Sequence, residues 1–400
     1  MTSPEPISSP SRQLEWAWFA LAFRPFFGLG AIFGVICIGL WMASLSGAQL
    51  IAPAGGLYFW HMHEMLFGFV AAIVVGFLLT AVKSWTNQPG LSGLPLGLLV
   101  GVWFVGRVVM LLPTLLPANL IGLIDFLFLP LAAVALARPV IRVKMWRNLM
   151  FAPILLLMSG LNAMMHADPS GSGIISQQAA AHGMILLIVL LMCVIGGRVF
   201  PMFTANGTQT PRVTPLPWLE KATILTTALC IPAGMALLPA TEAMTGIILM
   251  TAGVLNVWRV FRWRFIVALQ TPMLWSLHIS YWLMSIGLLL IGLHQTTGLL
   301  TASISYHVIT LGGISLMILA MVTRVSLGHT GRKIQATPAI TGAFLLMVAA
   351  TFVRILPAIL PGQALWLVIL AGLLWMAAFS LFVIVFFPIL SRARPDGTPG

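Results

Sequence analysis

The sequence predicts an all-α integral membrane protein of about twelve transmembrane helices, and three observations predict it. Hydrophobic residues make up 60% of the chain and charged residues only 7%, where a soluble domain carries about 25% charge to cover its surface. Apolar stretches long enough to cross ~30 Å of hydrocarbon as helix recur along the whole chain. The few charges alternate in density from one connection to the next.

In chain order the apolar stretches are 25–46, 59–82, 94–112, 118–137, 148–166, 177–200, 219–239, 243–261, 271–292, 303–325, 338–356 and 363–388. Turn-forming residues separate them at Gln88-Pro89-Gly90, Ala167-Asp168-Pro169-Ser170-Gly171, Asn206-Gly207 and Leu360-Pro361-Gly362. One transmembrane domain over 21–390 is expected, with tails at 1–20 and 391–400. The first twelve residues lack the basic, apolar and cleavable order of a secretory signal and read as a short cytoplasmic tail. Cys37, Cys193 and Cys230 all lie in apolar runs, which indicates neither a disulfide framework nor covalently attached haem.

The net charge of +12 is a statement about topology and not about nucleic acid. Segments 83–93, 138–147, 198–221, 259–270, 324–337 and 389–400, with the stretch 1–24 before the first span, hold 18 of the 20 Lys and Arg. The alternate loops hold Asp168 and Glu242. Positive-inside then puts both termini in the cytoplasm. Trp60, Trp85, Trp146, Trp218 and Trp366 near span ends fit interfacial belts.

A period of about 120 residues gives three pseudo-repeats of four helices. Spans 2, 6 and 10 each open with a histidine and close with a basic residue: His63 with Lys83, His182 with Arg198, His307 with Arg324. Histidine is the commonest metal ligand among side chains, and an ionisable group inside a bilayer is a functional hypothesis by default. Six of the eight histidines fall in the expected outer half: His61, His63, His166, His182, His294 and His307. His278 lies nearer mid-depth and His329 in a cytoplasmic loop.

Trp60-His61-Met62-His63-Glu64-Met65 is the densest constellation. Residues i and i+2 of a helix point about 200° apart, so His61 and His63 serve two adjacent sites rather than one. Glu64, three past His61, shares its face and is the candidate proton donor or orienting carboxylate. A hydrated helix end is the plainer reading of this cap. His182, among small residues, and His307, before Gly312-Gly313, are candidate metal or haem ligands, each weighed against a packed core histidine. His278 joins the pool because of its burial, whereas His166 and His294 read as hydrated helix ends. The basic loop Ser326–Lys333 reads as an ordinary inner loop.

Arg107 and Asp125 fall at similar depth on neighbouring antiparallel spans, where a structural ion pair explains both. Arg107 and Arg354 are also the two basic residues toward the outer face, and so candidate partners for haem b propionates.

Several motifs together resemble the NnrS family: Phe23-Arg24-Pro25-Phe26-Phe27, Trp60–Gly68, the Gly-Phe-Leu-Leu-Thr-Ala-Val run at 76–82, Gly197-Arg198-Val199-Phe200-Pro201, and Met321–Arg332. Met62 stands between two histidines where a small residue is familiar in that family. The resemblance implies a bacterial inner-membrane protein with haem and copper that serves the nitric oxide response in denitrification or nitrosative stress. It leaves open which histidines bind haem and which copper.

The expectation is then a haem b and copper protein that binds and reduces nitric oxide in the periplasmic half of the membrane. Its ligand pool is His61, His63, His182, His278 and His307, with Glu64 as the catalytic carboxylate and Arg107 and Arg354 on propionates. An electron donor of quinol or cytochrome type is implied. At fold level the helix count and histidine positions resemble the catalytic subunits of haem–copper oxidases, without their adjacent His-His pair. A non-catalytic sensor, binder or cofactor handler is the alternative, and a secondary transporter the third.

Overall fold

A computed structural model describes residues 17–167 and 176–397, and the regular structure among them is entirely helical. In chain order the long helices are α1 (Phe23–Leu45), α2 (Gly56–Thr86), α3 (Gly93–Leu111), α4 (Ala118–Arg142), α5 (Trp146–Ala167), α6 (Gln177–Thr208), α7 (Pro217–Gly234), α8 (Glu242–Phe261), α9 (Pro272–Thr297), α10 (Ala302–His329), α11 (Pro338–Ala358) and α12 (Pro361–Ser391). The expected N-terminal tail and the acidic loop at Asp168 lie outside the described residues.

Eleven of these helices are long and apolar enough to cross a membrane. The exception is α7, in the place of the expected seventh span. It carries Glu220 and Lys221 in its first turn, which lowers its hydropathy. Glu220 is answered by Arg259 of α8, whose Nη1 also donates to Cys193 O at 2.7 Å and Tyr281 Oη at 3.0 Å. Gly197 of the Gly-Arg-Val-Phe-Pro motif leaves room for that guanidinium, which a Cβ there would overlap. Where Asn206-Gly207 predicts a turn, α6 instead runs on through Pro201 to Thr208 and stops at Gln209 in the left-handed region, φ 55°.

Side-chain oxygens of Thr241, Thr301 and Thr337 accept from the backbone N–H three residues on, capping α8, α10 and α11. Asn87, at φ 51°, ends α2 two residues before Pro89. Trp146, Trp218 and Trp366 are exposed as a belt requires, but Trp60 is buried.

The most apolar window of α2 is 83% buried and that of α6 78%, against 33% for α11 and α12. The middle of the molecule is therefore the seam where α2, α6 and α10 touch one another. Two of these three contain a π-helical stretch, Glu64–Val70 and Val308–Ser315, each starting directly after a histidine, His63 or His307. π-helical turns inside α-helices occur often at functional sites.

The motifs at 23–27, 76–82 and 321–332 meet at one end of the bundle, the end that also holds the start of α1 and the end of α12. Phe23 N donates to Thr80 Oγ1 at 2.9 Å, and the Phe23 ring lies 5.7 Å from that of His329. Arg24 Nη1 donates to Leu390 O at 2.8 Å and Arg392 O at 2.7 Å, answering carbonyls that a helix end leaves without partners. Arg394 Nη1 donates to His329 O at 3.1 Å. Because Arg24 is 1% exposed, Arg24→Ala is expected to cost about 1.5–3 kcal/mol, the range for hydrogen bonds to a charged group. The measurement is the unfolding midpoint in detergent, and an unchanged midpoint would remove this clasp from the account of stability.

Candidate functional site: a histidine-lined cavity and a buried charge cluster

At the opposite end of the central seam is a cavity of about 240 Å³. His61, His182 and His307 line it, one from each of α2, α6 and α10. The three helices start at Gly56, Gln177 and Ala302, so each cavity histidine is the sixth residue of its helix. That common position places all three at one level. The repeat predicted from His63 is therefore carried by His61, two residues earlier.

The His61 ring stacks on Trp41 with centroids 4.5 Å apart, and His182 stacks on Tyr306 at 3.8 Å. His307 Nδ1 lies 2.6 Å from Ser303 O. A carbonyl only accepts, so Nδ1 carries the proton and Nε2 keeps its lone pair. His61 Nδ1 is buried with no hydrogen-bond partner among the described residues. Arg354 also lines the cavity, and its Nη2 donates to Ser303 Oγ at 2.8 Å. Ser303 thus holds His307 through its carbonyl and Arg354 through its hydroxyl. Ile38, Trp41 and Met42 of α1 and Val368, Ala371 and Trp375 of α12 form an apolar flank.

His63 and Glu64 belong to a second, separate group on the other side of α2. His63 Nδ1 is 3.0 Å from Glu64 Oε1, and Arg107 Nη1 donates to Glu64 Oε2 at 2.8 Å. Arg107 Nη2 pairs with Asp125 Oδ1. Asn162 Nδ2 donates to Asp125 Oδ2 at 2.7 Å, and His166 Nε2 lies 3.2 Å from the same oxygen. The ion pair predicted between Arg107 and Asp125 is present and has gained Glu64. The rings of Phe59 and Phe67 flank His63 at 5.5 and 5.2 Å.

The predicted site residues are thus divided. The cavity gathers His61, His182, His307 and Arg354, whereas His63, Glu64 and Arg107 form the charge cluster. Glu64 is only about 60° from His61 around the helix, but a carboxylate beside an apolar cavity gains more by turning to the Arg107 guanidinium. His278 joins neither group. It is buried toward the end of the bundle that holds the chain ends, with Nε2 2.9 Å from Thr204 Oγ1. His294 bonds the carbonyl of Leu300.

Sequence reasoning missed Asn162 and passed over His166 as a helix end. The signal was the pair itself, two polar residues four apart in an apolar span and hence on one face of α5. Trp41 and Tyr306, which position two of the cavity histidines, gave no sign in the sequence beyond being aromatic.

Fold and site together define a polytopic helical membrane protein whose three central helices each place one histidine in a common cavity. The sequence model of the NnrS protein family matches residues 17–394 of the chain, which belongs to that family. No curated protein matches it.

Proposed function

We propose that this NnrS-family protein holds haem b and copper in the cavity of α2, α6 and α10, binds nitric oxide there and reduces it. The observation that carries the reading is the convergence of His61, His182 and His307 at one level, beside Arg354. The donor set fits both groups. Imidazole nitrogens suit copper and haem iron alike, His307 presents Nε2 because Ser303 occupies its Nδ1, and Arg354 would pair with a buried propionate. Bound there, haem and copper supply the one-electron chemistry that the polypeptide lacks.

The chain's own side chains do the rest. Trp41 and Tyr306 hold two imidazoles flat and fix their direction. The apolar flank of α1 and α12 keeps water out and admits a small apolar gas dissolved in the bilayer. Two nitric oxide molecules, two electrons and two protons make one nitrous oxide and one water. The electrons come from a quinol or a cytochrome-type donor. With the basic loops inside, the protein sits in the bacterial inner membrane and the cavity faces the periplasmic half.

A second reading, binding without turnover, rests on one specific observation. Glu64 is committed to Arg107 and His63 and forms no part of the cavity wall, so Tyr58 and Tyr306 are the ionisable O–H groups at the cavity.

Optical spectra and metal analysis of protein expressed with ample haem, followed by nitric oxide titration of the reduced form, test both readings. A Soret band that shifts with nitric oxide is expected, together with consumption of nitric oxide once an electron donor is added. A shift without consumption selects the second reading. Absence of both haem and copper sinks the two together.

A further inference from the structure

In the charge cluster, four lone-pair atoms converge from α2, α4 and α5. His63 Nε2 is 3.0 Å from Asp125 Oδ2 and 3.0 Å from Asn162 Oδ1. His166 Nε2 is 3.2 Å from Asp125 Oδ2, and the ligand atoms of His63, Asp125 and His166 all lie within 4.8 Å of one another. Donor atoms bound at zinc-like distances of about 2.0–2.1 Å in a tetrahedron stand roughly 3.3 Å apart.

The hydrogen-bond directions around His63 point the same way. Its Nδ1 faces Glu64 Oε1, which only accepts, so that nitrogen donates, and in the neutral imidazole the lone pair is left on Nε2. This is the histidine–carboxylate arrangement that orients metal-binding imidazoles. Neither neighbour of Nε2 can donate to it. One is a carboxylate, and the other is an amide oxygen whose NH2 is already given to Asp125. Either a proton on Nε2 or a metal ion has to lie between them. With neutral imidazoles the cluster sets two carboxylates against one guanidinium, and none of these side chains exceeds 16% exposure. Such an excess of negative charge in a low-dielectric interior is costly without a cation.

We propose that this cluster binds one divalent ion of the zinc–copper class through His63 Nε2, His166 Nε2 and Asp125 Oδ2, with Asn162 Oδ1 as the fourth donor. Two imidazoles and one carboxylate are the ligand chemistry of such ions, and the amide oxygen is a weaker, neutral fourth donor. Arg107 holds Asp125 Oδ1, and Oδ2, which accepts from Asn162 Nδ2 with one lone pair, keeps the other for the metal. All four positions come from the chain, as in structural rather than catalytic sites. The ion ties α2, α4 and α5 together. Gly122 of α4 allows this, because a Cβ there would come within 3.2–3.4 Å of the His166 ring. The site is independent of whatever fills the cavity, since His61 faces the other side of α2.

The test is Zn(II) and Co(II) binding to chelator-stripped protein in detergent, read by metal analysis and by the visible bands of tetrahedral Co(II). The wild-type chain is expected to retain one equivalent that His166→Gln and Asp125→Asn each bind at least tenfold more weakly. The His61→Ala/His182→Ala/His307→Ala variant is expected to keep that equivalent and the Co(II) bands. His166 lies at a helix end, so His166→Gln remains informative if Asp125→Asn fails to fold. Metal content unchanged by His166→Gln, or no tight equivalent in the wild-type chain, overturns the proposal and leaves a protonated hydrogen-bond network only. A failure of the cavity reading shows separately, as an absence of haem that leaves this equivalent in place.

Discussion

His182→Ala is expected, on the proposed cavity reading, to cost at least tenfold in nitric oxide affinity and most of the cofactor content, with little change in stability. The loss of affinity follows from removing one of the three imidazoles that line the cavity and are proposed to hold its cofactors, since even residues that merely orient a ligand are worth about 10–100-fold. The small stability effect follows from how His182 is held. It is half-buried and stacked on Tyr306, with no hydrogen bond to it among the described residues, so alanine removes a ring and strands no partner. His278→Ala is the matched control, because that ring lies outside the cavity against Thr204 and should leave the proposed cofactors in place. Optical spectra and metal analysis of the two variants side by side decide the matter. Full cofactor retention in His182→Ala would take that residue out of the site, and loss only in His278→Ala would invert the assignment.

Arg107→Met is expected to destabilise the protein by about 3–5 kcal/mol, the usual consequence of removing one partner from a buried ion pair. Glu64 and Asp125 are 0% and 2% exposed, and the guanidinium between them has no substitute in α3. The double variant Arg107→Met/Glu64→Gln should recover part of the loss, because it removes a charge that would otherwise be buried without a partner. Unfolding midpoints of the two variants and the wild type, compared in one detergent, give the coupling. If Arg107→Met unfolds where wild type does, the cluster does not hold α2, α3 and α4 together. This effect is thermodynamic, whereas the His182 effect is on binding, so the two predictions separate the cavity from the cluster beside it.

Much of this was legible in the chain. Charge poverty and apolar length specify a helical membrane protein, because in hydrocarbon every backbone group has to bond within its own helix. The two-residue spacing of His61 and His63 placed them on opposite sides of α2, since that is a property of the helix alone. The depth match of Arg107 and Asp125 across a short connection likewise needed only rise per residue and antiparallel order. These are local or nearest-neighbour facts, and periodicity carries them.

What periodicity could not carry was the partner of each side chain. Glu64 reads as belonging with His61, but it sits with Arg107. His166 and Asn162, passed over at the end of a span, complete a cluster with His63. His278 reads as one of a set, but stands alone. The span count shows the same limit: eleven helices are long and apolar enough to cross a membrane, whereas α7 is not and carries the Glu220 that pairs with Arg259.

By itself the sequence determined that the chain is a bundle of membrane helices with histidines at matched depths, because helix geometry and burial of apolar length follow from order along the chain. Only the tertiary structure decided that His61, and not His63, meets His182 and His307, and that two carboxylates share one guanidinium beside them. The physical reason is that a buried polar group goes to whichever partner the packing of distant helices brings within about 3 Å, and that distance is not encoded in spacing along any one of them.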